Sequence, residues 1–189
     1  MTDQPRFELY AFWRTSATYR VRVAMNLKGL AATERQVDLI GGGQHDPAFL
    51  VVNPMAAIPA LVDHAPGAPS TALTQSLAIL EFLEEVAPSP PLLPRDPYAR
   101  ARVRSLSLLL AADTHPMLPP RVKAYLAKAA GFDDAAWKAW QTHWFTLGLQ
   151  GLEQRLAEPG TGRFCQGDTP GMADICLASI IVVMRAFKV

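Results

Sequence analysis

The residues best able to do chemistry fall in three short clusters, all in the first half of the chain. The first is Trp13-Arg14-Thr15-Ser16-Ala17-Thr18-Tyr19-Arg20-Val21-Arg22, where hydroxyl side chains stand between an apolar run and a segment that turns helical. A strand-to-helix turn exposes the helix's first N–H groups, whose dipole favours an anion, and hydroxyls there can donate to the same anion. If that anion is a thiolate, its pKa falls and it becomes a nucleophile near neutral pH. The same residues also suit a plain N-cap from Thr15, Ser16 or Thr18, and local sequence leaves both readings standing. Arg20 and Arg22 are two apart on a helix and point to different faces, so at most one of them lines such a site.

The second cluster is Ala57-Ile58-Pro59-Ala60-Leu61. A proline just before a short apolar strand is either a trans residue opening an edge strand or a cis turn. The cis form would present the backbone of Ile58 to an extended, peptide-like ligand in the manner of an added strand. The third is Thr74-Gln75-Ser76-Leu77-Ala78-Ile79, which opens a helix. It offers a carboxylate the Ser76 hydroxyl and backbone N–H groups, or it is simply a cap.

The segments that carry these clusters are short and alternate in type. Phe7 to Trp13 reads as a strand, Thr18 to Leu27 as a helix ending at Gly29, and Arg35 to Ile40 as a second strand ended by three glycines. Asp46 to Val52 suits a short helix, and Ala60 to Asp63 with Ala72 to Thr74 a short strand pair. Gln75 to Val86 is an amphipathic helix, with Leu77, Ile79, Leu80, Leu83 and Val86 as its apolar positions and Glu81, Glu84 and Glu85 as its wet ones. The order is β-α-β-α-β-β-α over residues 1–87. The proline-rich stretch from Ala87 to Pro94 cannot continue a helix, which places a linker over 88–98. Beyond it strand signals vanish, and Ala99–Asp113, Val122–Ala130, Asp134–Leu156 and Met172–Arg185 all read helical. A strand-and-helix half followed by an all-helical domain over 99–189 is the expected fold.

Composition narrows the function classes. Half of the 189 residues are apolar and 19% are charged, which suits a globular chain. The net charge of +1 gives no basic excess for nucleic acid, and the longest apolar run is too short to span a bilayer. Cys165 and Cys176 form no CxxC pair, which fits a reduced cytoplasmic setting. The four histidines, His45, His64, His115 and His143, have no i,i+4 pair, so no metal site is expected.

Taken together and in this order, the clusters resemble the glutathione transferase family, and in detail its zeta class. The zeta signature S-S-C-S-W-R-V-R-I-A is similar to Thr15 through Ala24 here. N-P-x-x-x-V-P-x-L is matched from Asn53-Pro54 through Ile58-Pro59 to Leu61. Q-S-L-A-I-I-E-Y-L-E-E is matched by Gln75 to Glu85, and G-D-x-x-T-M-A-D by Gly167 to Asp174.

The resemblance implies a thioredoxin-like βαβαββα domain followed by a helical domain, with glutathione bound to the first. By matching position, Thr15 and Ser16 would hold the glutathione sulfur, Ile58 would pair by backbone with its bond to Pro59 cis, and Gln75 and Ser76 would grip the γ-glutamyl carboxylate. Gln44 matches a polar position that reaches the glycyl end. Zeta enzymes include isomerases of maleylacetoacetate and maleylpyruvate, whose anionic substrates require cations. Arg14 lies beside the hydroxyls, and His115 and Arg121 fall in a segment resembling the isomerases' H-P-x-N-N-x-R. The resemblance further implies a cytoplasmic homodimer with a place in aromatic amino-acid catabolism. A non-catalytic binding module on the same fold is the competing expectation.

This chain departs from the family pattern at four positions. Ala17 stands at the zeta cysteine, Leu118-Pro119 at the Asn-Asn pair, and Ala186 at the isomerases' late arginine, with Arg185 one position earlier. Gly171 stands where a Ser or Thr N-cap belongs, leaving Asp174 to bond back to the cap. The family pattern also runs on past the position of Val189, so a helical domain lacking its last segment is expected.

Overall fold

The computed structural model describes residues 5–187. The chain divides into two compact units, Met1–Leu92 and Leu93–Val189.

In the first unit the elements run β1 (Phe7–Ala11), α1 (Ser16–Leu27), β2 (Ala32–Gln36), α2 (Pro47–Val52), β3 (Ala60–Asp63), β4 (Leu73–Thr74) and α3 (Ser76–Val86), with a 3₁₀ turn at Gly43–His45. The strands form one sheet in the order β2-β1-β3-β4. β1 and β2 are parallel, whereas β3 runs antiparallel to both β1 and β4. This is the βαβαββα arrangement of a thioredoxin-like domain. Along β1 the side chains of Phe7, Leu9 and Ala11 are buried, the period-2 pattern of a strand with one packed face. Val21, Ala24 and Met25 of α1 and Ile79, Leu80 and Leu83 of α3 add the helical part of that core. α1 ends in a complete Schellman motif. Gly29 has φ +66, Leu30 N–H donates to Met25 C=O at 2.9 Å, and Gly29 N–H donates to Asn26 C=O at 3.2 Å.

Two sequence expectations are corrected in this unit. β2 lies at Ala32–Gln36 rather than Arg35–Ile40, because it is an edge strand whose side chains are half-buried or exposed and carry little hydrophobic pattern. Glu84 is buried rather than wet. Its Oε2 accepts from Lys28 Nζ at 2.7 Å and from Leu92 N–H at 2.9 Å, and the Lys28 ammonium, 0% exposed, also reaches the carbonyls of Ala87 at 2.6 Å and Pro90 at 2.9 Å. A buried carboxylate is tolerable because it is paired and hydrogen-bonded.

The second unit is helical. It contains α4 (Pro97–Leu108), a π-helical turn (Leu109–Thr114), a 3₁₀ turn (His115–Met117), α5 (Pro120–Ala130), α6 (Asp134–Leu156) and α7 (Met172–Phe187). Val103, Leu106, Leu110, Phe145, Leu152, Met172 and Ile180 are buried and form its core. The helix expected over Ala99–Asp113 is α at its start and π at its end. The change comes where α6 crosses it. A Cβ on Gly148 would lie 2.9 Å from Thr114 Cγ2 and 3.0 Å from Thr114 Cβ, so only glycine admits this approach. Thr114 Oγ1 in turn donates to Leu109 C=O at 2.8 Å, across the π turn. α7 is capped as expected: Gly171 N–H donates to Asp174 Oδ2 at 2.8 Å, and Cys165 N–H donates to Asp174 Oδ1 at 2.9 Å. Among the described residues no helix is long and apolar enough to cross a membrane.

Candidate active site

The sheet register brings the three clusters to one end of the first unit. Tyr10, near the end of β1, faces Ala60 at the start of β3, and Ala60 faces Thr74 at the end of β4. The turn into α1, the Ile58–Pro59 bond and the turn into α3 therefore sit at the same sheet end. Gln36, at the end of β2, faces Ala11 there and leads toward the 3₁₀ turn that carries Gln44.

At the first turn the hydroxyls divide the work. Thr15 is the N-cap of α1. Its Oγ1 accepts from Thr18 N–H at 3.3 Å and donates to Thr18 Oγ1 at 2.8 Å, so the Thr15 hydroxyl is spent on the cap. Ser16, the first residue of the helix, is 3% exposed, and its Oγ is buried with no hydrogen-bond partner among the described residues. Leaving a buried hydroxyl unpaired costs roughly 1–3 kcal/mol. It is an unspent donor at the positive end of a helix, the place where an anion is best held. Arg14 is exposed, with its guanidinium over the Trp13 ring at 5.5 Å.

Ile58–Pro59 is cis, with Pro59 buried and Ile58 half-buried. Gln75 holds φ +68, an uncommon conformation for a residue with a side chain, and is the N-cap of α3. The next residue, Ser76, is buried, and its Oγ accepts from Arg20 Nε at 2.9 Å. Arg22 faces elsewhere, paired with Glu34 at 2.6 Å. In the 3₁₀ turn, Gln44 Oε1 is a second buried polar atom with no partner among the described residues. Two unspent polar atoms, a strained backbone position and two helix N-termini fit a small ligand carrying a thiol, peptide groups and carboxylates.

A family model for the glutathione S-transferase N-terminal domain matches residues 16–86. The maleylacetoacetate isomerase of Rhizobium meliloti is 41% identical over 182 residues, covering 96% of this chain and 83% of its own. The chain belongs to the glutathione S-transferase family. Within it, this transferase is similar to a solved maleylacetoacetate isomerase from Methylobacterium extorquens AM1 with bound malonate and GSH. That likeness has a TM-score of 0.91 and 47% identity, over 96% of this chain and 84% of that one. It is likewise similar to a holo maleylpyruvate isomerase described as a bacterial zeta-class transferase, with TM-score 0.90, 40% identity and the same coverage.

The remaining sequence candidates lie in the second unit of the transferase. His115 is half-buried and opens the 3₁₀ turn, its carbonyl accepting from Leu118 N–H at 3.0 Å. Trp140 of α6 donates its indole N–H to Met117 C=O at 2.7 Å and fastens the same turn. Arg121 is exposed in the first turn of α5. Both cysteines are buried, and burial, with Asp174 alongside, pushes the Cys165 thiol up to about 12, so Cys165 supplies no usable thiolate. The residue that sequence reasoning missed is Arg20. The two-residue spacing from Arg22 left the choice between them open, and only the bond to Ser76 decides it.

Proposed function

We propose that this transferase is a glutathione-dependent cis–trans isomerase of a maleyl keto acid, maleylacetoacetate or maleylpyruvate. The observation that carries the reading is the buried, unspent Ser16 hydroxyl at the N-terminus of α1. Glutathione, when bound, supplies the thiolate that adds to the cis enediketo acid, permits bond rotation and leaves to give the trans isomer.

The chain's own part is to hold and orient. Ser16 Oγ donates to the sulfur, and the dipole of α1 favours its charge. Thr15 keeps the turn in shape by capping. Ile58 offers its backbone to the cysteinyl portion, beside the cis bond to Pro59. Gln75 and Ser76 take the γ-glutamyl carboxylate at the N-terminus of α3, and Gln44 the glycyl end. Arg14, exposed next to the cap, supplies a cation for an anionic substrate. His115 and Arg121 serve the ligands from the helical unit, Arg121 by a bidentate grip on a carboxylate. The names of the similar isomerases support the substrate class. The enzyme works in the cytoplasm as a homodimer; exposed Val51 and Met55 on the first unit support the dimer, which sedimentation checks.

The test is turnover of maleylacetoacetate and maleylpyruvate with and without glutathione. Isomerisation that requires glutathione is expected. Activity unchanged by removing it would overturn the mechanism.

A further inference from the structure

We propose that Arg20 is a positioning residue that fixes Ser76 as a hydrogen-bond donor and so makes this end of the site selective for a carboxylate. The inference rests on the reading of Ser76 as part of a glutathione site and adds the group that sets its polarity.

A serine hydroxyl has one O–H and two lone pairs, and it rotates to suit its neighbours. Ser76 Oγ has its direction set for it, because Arg20 Nε–H occupies a lone pair at 2.9 Å. The O–H is then left to donate. Arg20 is 2% exposed, and a guanidinium does not lose its proton in a protein, so the constraint holds at every working pH. Gln75, at φ +68, holds the preceding backbone in a conformation that few side-chain-bearing residues adopt. A ligand group presented here meets a donor hydroxyl, helix N–H groups and a buried cation behind them. A carboxylate satisfies all three.

The geometry also separates the two arginines of the R-x-R pair. Arg22 is held by Glu34 through two bonds, at 2.7 and 2.6 Å, on a face turned away from Ser76. Of the two, it is Arg20 that bridges α1, which carries the candidate sulfur site, to α3, which carries the candidate carboxylate site.

The test is calorimetric binding of two peptides to the full chain. One is glutathione. The other is 4-aminobutyryl-cysteinyl-glycine, which lacks the γ-glutamyl carboxylate. The unmodified protein is expected to prefer glutathione by at least about tenfold, the scale of one charge-assisted hydrogen bond. Arg20→Met should shrink that preference to about threefold or less while changing the affinity for the truncated peptide by less than about twofold. Arg20→Lys, which keeps a cation without the guanidinium fork, should fall between them and serves as the reading if Arg20→Met does not fold. A retained preference, or an equal loss for both peptides, overturns the proposal. Absence of any preference in the unmodified protein overturns the reading of Ser76 itself, and failure to bind either peptide overturns the glutathione reading as a whole.

Discussion

Gly148→Ala should destabilise the helical unit even though alanine is the better helix former. An added Cβ would meet Oγ1, Cγ2 and Cβ of Thr114, the last two at 2.9 and 3.0 Å. Ordinary carbon contacts are about 3.5–4.0 Å, so the neighbour has to move. Thr114 cannot simply turn away, because its Oγ1 is bonded to Leu109 C=O and its own Cβ is among the atoms met. Overpacking of this kind costs roughly 1–3 kcal/mol, and loss of the Thr114 bond adds about 1 kcal/mol. The helix-propensity gain of Gly→Ala returns about 1 kcal/mol, leaving a net loss of about 1–3 kcal/mol. In a Thr114→Ala background the same substitution meets neither Oγ1 nor Cγ2 and only the Cβ contact at 3.0 Å remains, so its cost should fall by about 1 kcal/mol or more. Urea unfolding of the four proteins closes the cycle, with stability read from the midpoint at constant slope. An equal effect of Gly148→Ala in both backgrounds, or none in either, would refute the account of why a glycine sits in the middle of α6.

Three further outcomes are expected. Lys28→Met should cost about 3–5 kcal/mol in urea unfolding, because it leaves the Glu84 carboxylate buried without its cation, whereas Lys28→Met with Glu84→Leu should recover part of that loss. Ser16→Ala should lower kcat/KM by about 10²–10³, the usual scale for removing a donor to developing or held negative charge. Thr15→Ala should instead lower thermal stability by about 1 kcal/mol through loss of the cap, and equal small activity losses would show that backbone N–H groups suffice. Asp63 is held below the usual carboxylate range, first by its bond from the Arg6 guanidinium and then by Ala65 N–H. It therefore stabilises the fold above the ordinary carboxylate pKa, and that contribution is lost as pH falls through the lowered folded value. Asp63→Asn should accordingly flatten the acid limb of the stability profile below about pH 4, measured by urea midpoints against pH.

What the sequence revealed follows from where the signal was strong. α6 was legible to its end residues because an aspartate N-cap stands at one end of an uninterrupted helical segment. β2 was read three residues late because Val37 and Leu39 carry the apolar signal, while the edge strand itself is Ala-Thr-Glu-Arg-Gln. The π turn left no local mark, and the glycine of α6 that lies against its Thr114 is more than thirty residues away. Glu84 looked wet because nothing near it in sequence announces Lys28, fifty-six positions earlier. At the site, the hydroxyl cluster was visible as a cluster. Which member caps and which is left unspent depends on χ angles and burial that no spacing rule encodes.

The Lys28 ammonium bears on where this chain can be divided. By sequence, the first domain ends at Ala87, where the proline-rich stretch begins. By hydrogen bonding it does not: Lys28 holds the carbonyls of Ala87 and Pro90, and its partner Glu84 holds the N–H of Leu92. A fragment cut at Ala87 would remove the Pro90 carbonyl and the Leu92 N–H and open a buried ion pair to water. Chimeras that exchange helical domains between related transferases should therefore join after Leu92, so that the lysine travels with all its acceptors.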